Sequence, residues 1–213
     1  MSLRRDLALS LGLRALLVAL LVLGVARPDL PQFHGKGIAL RLVVYPLFTA
    51  IVPALWLARG RPRPYPFDVD QLLVLPFLFD TAGNAANLYD RIWWWDKVEH
   101  GVNWFVLVGA VALLLARTSV PTREVVAIAI GFGAFTAILW ELAEYATFIH
   151  SNRRELATAY TNTLGDLLWG GIVGSTAGAA TTAWLARRKP SAAPGARAAA
   201  PAQASSSRSK NDR

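Results

Sequence analysis

Residues 7–26 read LALSLGLRALLVALLVLGVA, a block in which Arg14 is the one charged side chain. About twenty consecutive apolar residues form a helix of about 30 Å, which matches the hydrocarbon core of a bilayer. The block therefore predicts a membrane-spanning helix. Arg4 and Arg5 before it and Gly24-Val25-Ala26 at its end also fit a signal peptide. That alternative ranks second, because the block is long for a signal and Arg14 interrupts it.

Similar blocks recur along the chain, in which 54% of the residues are apolar and 17% are charged. A soluble α/β domain would show short apolar runs cut by turns. The predicted spans lie near residues 7–26, 38–58, 71–89, 99–116, 123–148 and 164–186. We therefore predict an all-α, polytopic transmembrane bundle of about six helices within residues 1–189. Residues 190–213 lack apolar periodicity, which predicts a disordered basic cytoplasmic tail.

The net charge of +8 comes from basic residues beside the apolar blocks and in the tail. Such residues set topology and contact anionic lipid, so the expected partner is membrane lipid and not nucleic acid. Their balance favours a multi-pass protein of the bacterial inner (plasma) membrane with both termini cytoplasmic. The chain has no cysteine. Any chemistry must therefore use oxygen and imidazole groups.

Polar side chains inside the predicted spans carry the functional signal. Asp80 lies near the centre of the third span, where an ionised carboxylate costs about 3 kcal/mol. Asn84 and Asn87 follow it at helical spacing and give that helix one polar face. Further polar residues occur in the later spans: Asp96, Lys97, His100 and Asn103 in and before the fourth, Glu141, Glu144 and Tyr145 in the fifth, and Asp166 in the sixth. Because successive spans alternate in direction, all four sets reach one leaflet, which we predict to be the outer one.

Several of these residues also have a purely structural interpretation. Asp96 with Glu99 fits a helix N-cap, and Thr163 with Asp166 matches a capping box at the start of the sixth span. A single histidine such as His100 is more often a hydrogen-bonded polar residue than a ligand. Capping does not exclude a role in a site.

We predict one site in the outer half of the bundle. The candidate catalytic residues, which are also the candidate ligands of a divalent cation such as Mg²⁺, Mn²⁺ or Zn²⁺, are Asp80, His100, Glu141 and Asp166. The candidate substrate-binding residues are Asn84, Asp96, Lys97, Asn103, Glu144 and Tyr145. The expected substrate is a lipid headgroup or a lipid-linked small molecule.

Two other functions stay open, a proton- or cation-coupled transporter and a structural membrane scaffold. The inner halves of the spans look almost wholly apolar, which favours a binding site over a transporter. Gly170, Gly174 and Gly178 recur every fourth residue in the last span. This spacing predicts that another helix packs closely against them.

Four sequence features together indicate a family. They are Asp80 with Gly83-Asn84, the run Asp96-Lys97-x-x-His100, the run Trp140-Glu141-x-x-Glu144, and Asp166 with its downstream glycines. Over residues 71–178 the chain resembles the YjdF-like bacterial inner-membrane proteins and, more distantly, the VanZ-like family. The resemblance implies a compact multi-pass membrane protein and supplies no reaction. VanZ-like members are associated with tolerance of glycopeptide antibiotics, but this sequence has no signature of that role.

Overall fold

The computed structural model describes residues 3–188, and every regular element in that range is a helix. The all-α prediction is therefore confirmed. The α-helices are α1 (Leu3–Ala26), α2 (Ile38–Thr49), α3 (Ile51–Ala58), α4 (Phe67–Ala85), α5 (Leu88–Arg91), α6 (Trp95–Leu115), α7 (Thr122–Glu144), α8 (Arg153–Asp166) and α9 (Ser175–Arg188). Two π-helical segments, Tyr145–Ile149 and Leu167–Gly174, continue α7 and join α8 to α9. The tail predicted at residues 190–213 lies outside the described residues.

These elements combine into six long helical segments, because α2 and α3 are separated only by Ala50 and residues 153–188 form one continuous rod. Four segments are long and apolar enough to cross a membrane, namely Leu3–Ala26, Ile38–Ala58, Trp95–Leu115 and Thr122–Ile149. The other two are less apolar. Helix α4 carries three aspartates, and the rod at 153–188 is rich in Gly, Ala and Thr. That these two also span the membrane stays a prediction.

Contacts between helix ends show that successive long segments alternate in direction. Gln71, near the start of α4, donates hydrogen bonds to Asp6 O at 3.1 Å and Ser10 Oγ at 3.3 Å near the start of α1. Arg117, just after α6, pairs with Asp68 in the first turn of α4. The start of α6 and the end of α4 therefore lie at the same end of the bundle. We call this the polar end, and it also holds the end of α7 and Asp166.

Two apolar cores lie on either side of the contact between α4 and α6. The core of α1, α2 and α4 contains Leu17, Leu21, Phe33, Ile38, Tyr45 and Val74. The core of α6, α7 and α9 contains Trp104, Val108, Ala112, Val125, Ala129, Ala137 and Ala179. The second core is rich in alanine, and small side chains allow helices in a membrane to approach closely.

The glycines of the last rod pack against another helix, α6, as their spacing predicts. A Cβ at Gly174 would overlap the backbone of Gly101, and a Cβ at Gly178 would overlap the backbone of Phe105. Gly170 in turn lies against the indole of Trp104. The contacts follow the same chain order on both helices, from Gly174 with Gly101 to Gly178 with Phe105. The two helices therefore run parallel over this contact.

Both capping interpretations are wrong. The last rod begins at Arg153 rather than near residue 164, so Asp166 lies inside it and not at its start. Asp96 is the second residue of α6, whose N-cap is Trp94 without a side-chain cap bond. The third predicted span, 71–89, also ends earlier than expected. Helix α4 ends at Ala85, because Asn87 takes a left-handed φ of 57° that a helix cannot continue through.

Candidate functional site

A cavity of about 1390 Å³ opens at the polar end between α2, α4, α6 and α7. Near the polar end its wall carries charged and amide side chains, including Arg41, Asp80, Asn84, Asp96, Glu99, His100, Asn103 and Glu144. The remainder of the wall is aromatic and aliphatic, including Tyr45, Phe48, Leu73, Phe77, Leu107, Phe132, Leu139 and Trp140. The cavity is therefore amphipathic.

Asp80 is buried and fully engaged by other side chains. Arg41 Nη1 donates to both of its carboxylate oxygens, at 2.8 and 2.6 Å. The hydroxyls of Tyr45 and Tyr89 donate at 2.7 and 2.9 Å, and Asn84 Nδ2 donates at 3.1 Å. A buried carboxylate that is paired with a guanidinium and accepts further hydrogen bonds is compensated in an apolar surrounding.

The other predicted ligands gather around His100 at the start of α6. His100 Nδ1 lies 2.9 Å from Asp96 O, 3.2 Å from Glu99 Oε2 and 3.4 Å from Asp166 Oδ1. His100 Nε2 lies 3.6 Å from Glu141 Oε1. Helices α6, α7 and the last rod each supply part of this group, which we call the His100 cluster and define as Asp96, Glu99, His100, Glu141 and Asp166.

Lys97 holds one side of the His100 cluster. Its ammonium donates to Asp96 Oδ2 at 2.9 Å, Asp166 Oδ1 at 2.7 Å and Asn162 Oδ1 at 2.7 Å. Asn162 Nδ2 donates in turn to Asp166 Oδ2 at 2.6 Å. Asn162 and Asp166 are four residues apart on α8, so one face of that helix presents both to Lys97.

Seven of the ten predicted site residues line the cavity, and three do not. Asp80, Asn84, Asp96, Lys97, His100, Asn103 and Glu144 line the cavity. Glu141 and Asp166 contact His100 without lining the cavity. Tyr145 is half-exposed and does not line the cavity, so its expected contact with substrate stays a prediction. Asp80 is paired with Arg41 and belongs to no group of metal-ligand spacing in residues 3–188, which removes the geometric basis for its expected metal role.

Two groups within the described residues have the spacing of metal ligands. One contains Asp96, Glu99 and His100, and the other contains His100, Glu141 and Asp166. In each group one ligand atom per residue lies within 4.8 Å of the others. Carboxylate oxygens with one imidazole nitrogen suit a divalent first-row metal ion.

Both π-helical segments begin beside site residues. Tyr145–Ile149 follows Glu144 directly, and Leu167–Gly174 follows Asp166 directly. The widened turn leaves Gly170 O to accept a hydrogen bond from Ser175 Oγ at 3.0 Å. Such segments are frequent at functional sites.

Several buried polar atoms in residues 3–188 have no hydrogen-bond partner. They are Asn84 Oδ1, Asn87 Oδ1, Trp95 Nε1, His100 Nε2, Asn103 Oδ1 and Glu141 Oε2. All six residues lie toward the polar end. Since a buried polar atom without a partner costs about 1–3 kcal/mol, this concentration indicates a place where a ligand, ion or water completes the bonding.

The opposite end of the bundle contains a polar cluster that the sequence interpretation missed. Asp70, 1% exposed, accepts from Arg14 at 2.5 and 3.0 Å. Arg14 also donates to Thr49 O at 2.8 Å. Pro53 lacks the backbone N–H that would otherwise bond Thr49 O within the helix, so this carbonyl is free to accept from Arg14. The expectation of almost wholly apolar inner halves is therefore wrong.

Three further residues of the polar end were also missed. Arg41 is one of the basic residues beside the apolar blocks that the sequence analysis assigns to topology, and Glu99 enters there only as a capping partner of Asp96. Asn162 lies in a stretch that the sequence did not predict as helical. Two signals in the sequence could have indicated Asn162 and Arg41. Asn162 is four residues before Asp166, and Arg41 lies three residues inside an apolar block.

Comparisons with known proteins place this architecture in a family. Residues 9–189 match the family described as "Predicted membrane protein (DUF2238)". The chain belongs to this family. DUF2238 is the YjdF family, so the YjdF-like resemblance is confirmed at that level. The VanZ-like resemblance stays a prediction.

One curated relative of this DUF2238 chain is an "Uncharacterized protein" of Thermotoga maritima, 35% identical over 74 residues. The match covers 33% of this chain and 38% of that protein. The chain thus spans less than two fifths of the relative's length. No solved structure matches.

Proposed function

We propose that this membrane protein binds an amphiphilic molecule in the cavity at the polar end, with the headgroup among the charged side chains. The amphipathic wall of the cavity carries this proposal. One part offers carboxylate, amide and imidazole groups, and the other offers aromatic and aliphatic side chains. A ligand with a polar head and an apolar chain satisfies both parts, and the bilayer around the helices supplies such molecules.

The charge of the cavity wall selects among headgroups. Seven carboxylates line it (Asp29, Asp80, Asp90, Asp96, Glu99, Glu144 and Glu155), against three basic side chains (Lys36, Arg41 and Lys97). Each of the three basic side chains is already in an ion pair. The wall therefore favours a headgroup that carries a cationic amine. Aromatic faces nearby offer it cation–π contacts.

Tryptophan quenching tests this proposal, because Trp104 and Trp140 line the cavity. The purified full-length chain in non-ionic detergent is titrated with a dodecylamine that carries bromines on the chain, and with the matching brominated dodecyl sulfate. We expect saturable quenching by the amine that excess unbrominated dodecylamine reverses. Sulfate that quenches with equal affinity, or amine quenching that does not saturate, would contradict the proposal.

A variant pair identifies the site of binding. Glu144→Gln removes a carboxylate of the cavity wall and should weaken amine binding about fivefold, which corresponds to about 1 kcal/mol. Glu124→Gln removes an exposed carboxylate at the start of α7, away from the cavity, and should leave binding unchanged. Equal weakening by both changes would indicate a general charge effect.

The proposal places the protein in the bacterial inner membrane with both termini in the cytoplasm and the polar end facing outward. The balance of basic flanks supports this orientation. A reporter that is active only in the periplasm should work when inserted between Asp90 and Lys97 and fail after Lys189. The opposite pattern would reverse the orientation.

A coupled transporter is less well supported by the geometry. It would need polar groups that continue from Asp80 toward Asp70. The face of α4 between them carries Val74, which is fully buried in the apolar core, and Phe77, which packs against Tyr45. A binding site that opens at one end fits this arrangement better.

A further inference from the structure

We propose that His100, Glu141 and Asp166 bind a divalent transition-metal ion behind the wall of the cavity. This inference does not depend on the binding of an amphiphile. It rests on the geometry of the imidazole, on the unpartnered oxygen of Glu141 and on the excess of carboxylates in the His100 cluster.

The imidazole of His100 is oriented as a metal ligand is. Nδ1 lies 2.9 Å from Asp96 O, and because a carbonyl oxygen only accepts, Nδ1 carries the hydrogen and donates it. A ring N–H bonded to a backbone carbonyl is the usual outer support of a metal-binding histidine. The nitrogen left for a ligand is Nε2. It is buried and has no hydrogen-bond partner.

Glu141 has a carboxylate oxygen without a hydrogen-bond partner close to His100 Nε2. Its Oε1 lies 3.6 Å from His100 Nε2, too far for a good hydrogen bond. Its Oε2 is buried without a partner, although Thr163 interacts with the carboxylate. Both residues are 6% exposed, so water from outside does not satisfy these atoms freely. An ion between the imidazole and the carboxylate would satisfy both.

Asp166 supplies the third ligand. One ligand atom each from His100, Glu141 and Asp166 lies within 4.8 Å of the others. Metal bonds of 2.0–2.2 Å separate ligands by about 3–4.4 Å. Asp166 Oδ1 lies 3.4 Å from His100 Nδ1, so its side chain has to turn toward Nε2 to bind an ion there. Lys97 and Asn162 already hold the Asp166 oxygens at 2.7 and 2.6 Å and orient them. Each carboxylate oxygen keeps a further lone pair for an ion.

The charge balance favours a cation at this place. Asp96, Glu99, Glu141 and Asp166 contribute four carboxylates around His100, and Lys97 is the ammonium that pairs with two of them. Buried carboxylates without compensation are costly. An ion of charge +2 offsets part of the excess. A donor set with an imidazole favours Mn²⁺ or Zn²⁺ over Mg²⁺ and Ca²⁺.

Equilibrium dialysis of the chelator-treated full-length chain against Mn²⁺ or Zn²⁺, followed by metal analysis, tests the proposal. We expect about one tightly bound ion per chain in the wild-type protein without added amphiphile. Pulsed electron paramagnetic resonance of bound Mn²⁺ should show a coordinated imidazole nitrogen. A folded wild-type chain that retains less than about a tenth of an equivalent, or bound Mn²⁺ without a coordinated nitrogen, would overturn the proposal.

Matched variants locate the ion. His100→Gln and Glu141→Gln should each weaken binding by more than about tenfold, since loss of a mere outer partner already costs 10–100-fold. Glu124→Gln is the exposed control. Retention of tight binding by both ligand variants would overturn the site. Tryptophan quenching by the brominated amine, measured with a chelator present, tests ligand binding in the cavity when no ion is bound.

Discussion

Removal of the Arg41 side chain should destabilise the protein more than any surface change, because Asp80 then lies buried without its counterion. Asp80 is 7% exposed and both of its oxygens accept from Arg41. Breaking a buried pair by removing one partner costs about 3–5 kcal/mol. Tyr45, Tyr89 and Asn84 still donate to Asp80 in the variant. We therefore expect Arg41→Gln to lower the free energy of unfolding by about 3 kcal/mol, the lower end of that range.

A double-mutant cycle separates the ion pair from the loss of packing. Asp80→Asn alone leaves the guanidinium, 14% exposed, without its carboxylate and should also cost about 3 kcal/mol. Arg41→Gln with Asp80→Asn places two neutral amides together and should cost about 2–3 kcal/mol in total. The coupling energy is then about 3–4 kcal/mol.

Unfolding in mixed detergent micelles with increasing dodecyl sulfate, followed by circular dichroism, measures these energies. Arg123→Gln is the matched control, because Arg123 is 87% exposed and its change should stay within about 0.5 kcal/mol. Single changes whose effects simply add in the double variant would refute the reasoning. They would mean that Arg41 and Asp80 stabilise the fold independently.

Three further predictions concern the rest of the bundle. Gly174→Leu should greatly reduce the yield of folded protein, because any side chain there meets the Gly101 backbone. Ala127→Leu, at an exposed position, should not reduce the yield, and similar yields of the two variants would argue against the close contact. Asp70→Asn should lower the free energy of unfolding by about 2 kcal/mol in the same assay, below the range for a fully buried pair because the Arg14 side chain is 23% exposed. An unchanged value would show that Arg14 is solvated without Asp70. Tyr145→Ala should leave amine quenching unchanged, because this side chain is outside the cavity wall, and weaker quenching would place it in the site.

Much of the fold follows from the length of the apolar blocks. The block at 7–26 and the segment Ile38–Ala58 contain almost no polar residues that could shift their ends. The last helix was harder to predict, because residues 153–163 include Arg, Glu, Thr and Asn, which give no apolar signal. This part forms a helix all the same, since Lys97 bonds Asn162 and Asp166 along one face of it. Tertiary contacts of this kind cannot be read from local composition.

The sequence predicts which residues belong to the candidate site but not which of them pair with each other. Helical spacing placed Asp80 on a polar face and His100 near acidic residues of other helices. Spacing alone could not assign Arg41 to Asp80, because the two are 39 residues apart and meet through the packing of α2 against α4. That pairing engages both oxygens of Asp80, whereas the spacing of metal ligands in residues 3–188 occurs only around His100.

The two buried aspartates of α4 explain why these polar residues are arranged in pairs between helices. Asp70 and Asp80 are ten residues apart, about 15 Å along the helix, and each is paired with an arginine of a preceding segment. An aspartate in lipid is costly unless its partner comes with it, so the membrane span predicted for α4 requires α1 and α2 to pack against it. The same requirement applies to Glu141, whose Oε1 lies 3.6 Å from His100 Nε2. Asp70 and Asp80 have arginine partners within the chain, whereas Glu141 keeps an oxygen without a partner, which is why we propose a cation at the His100 cluster and not at either aspartate.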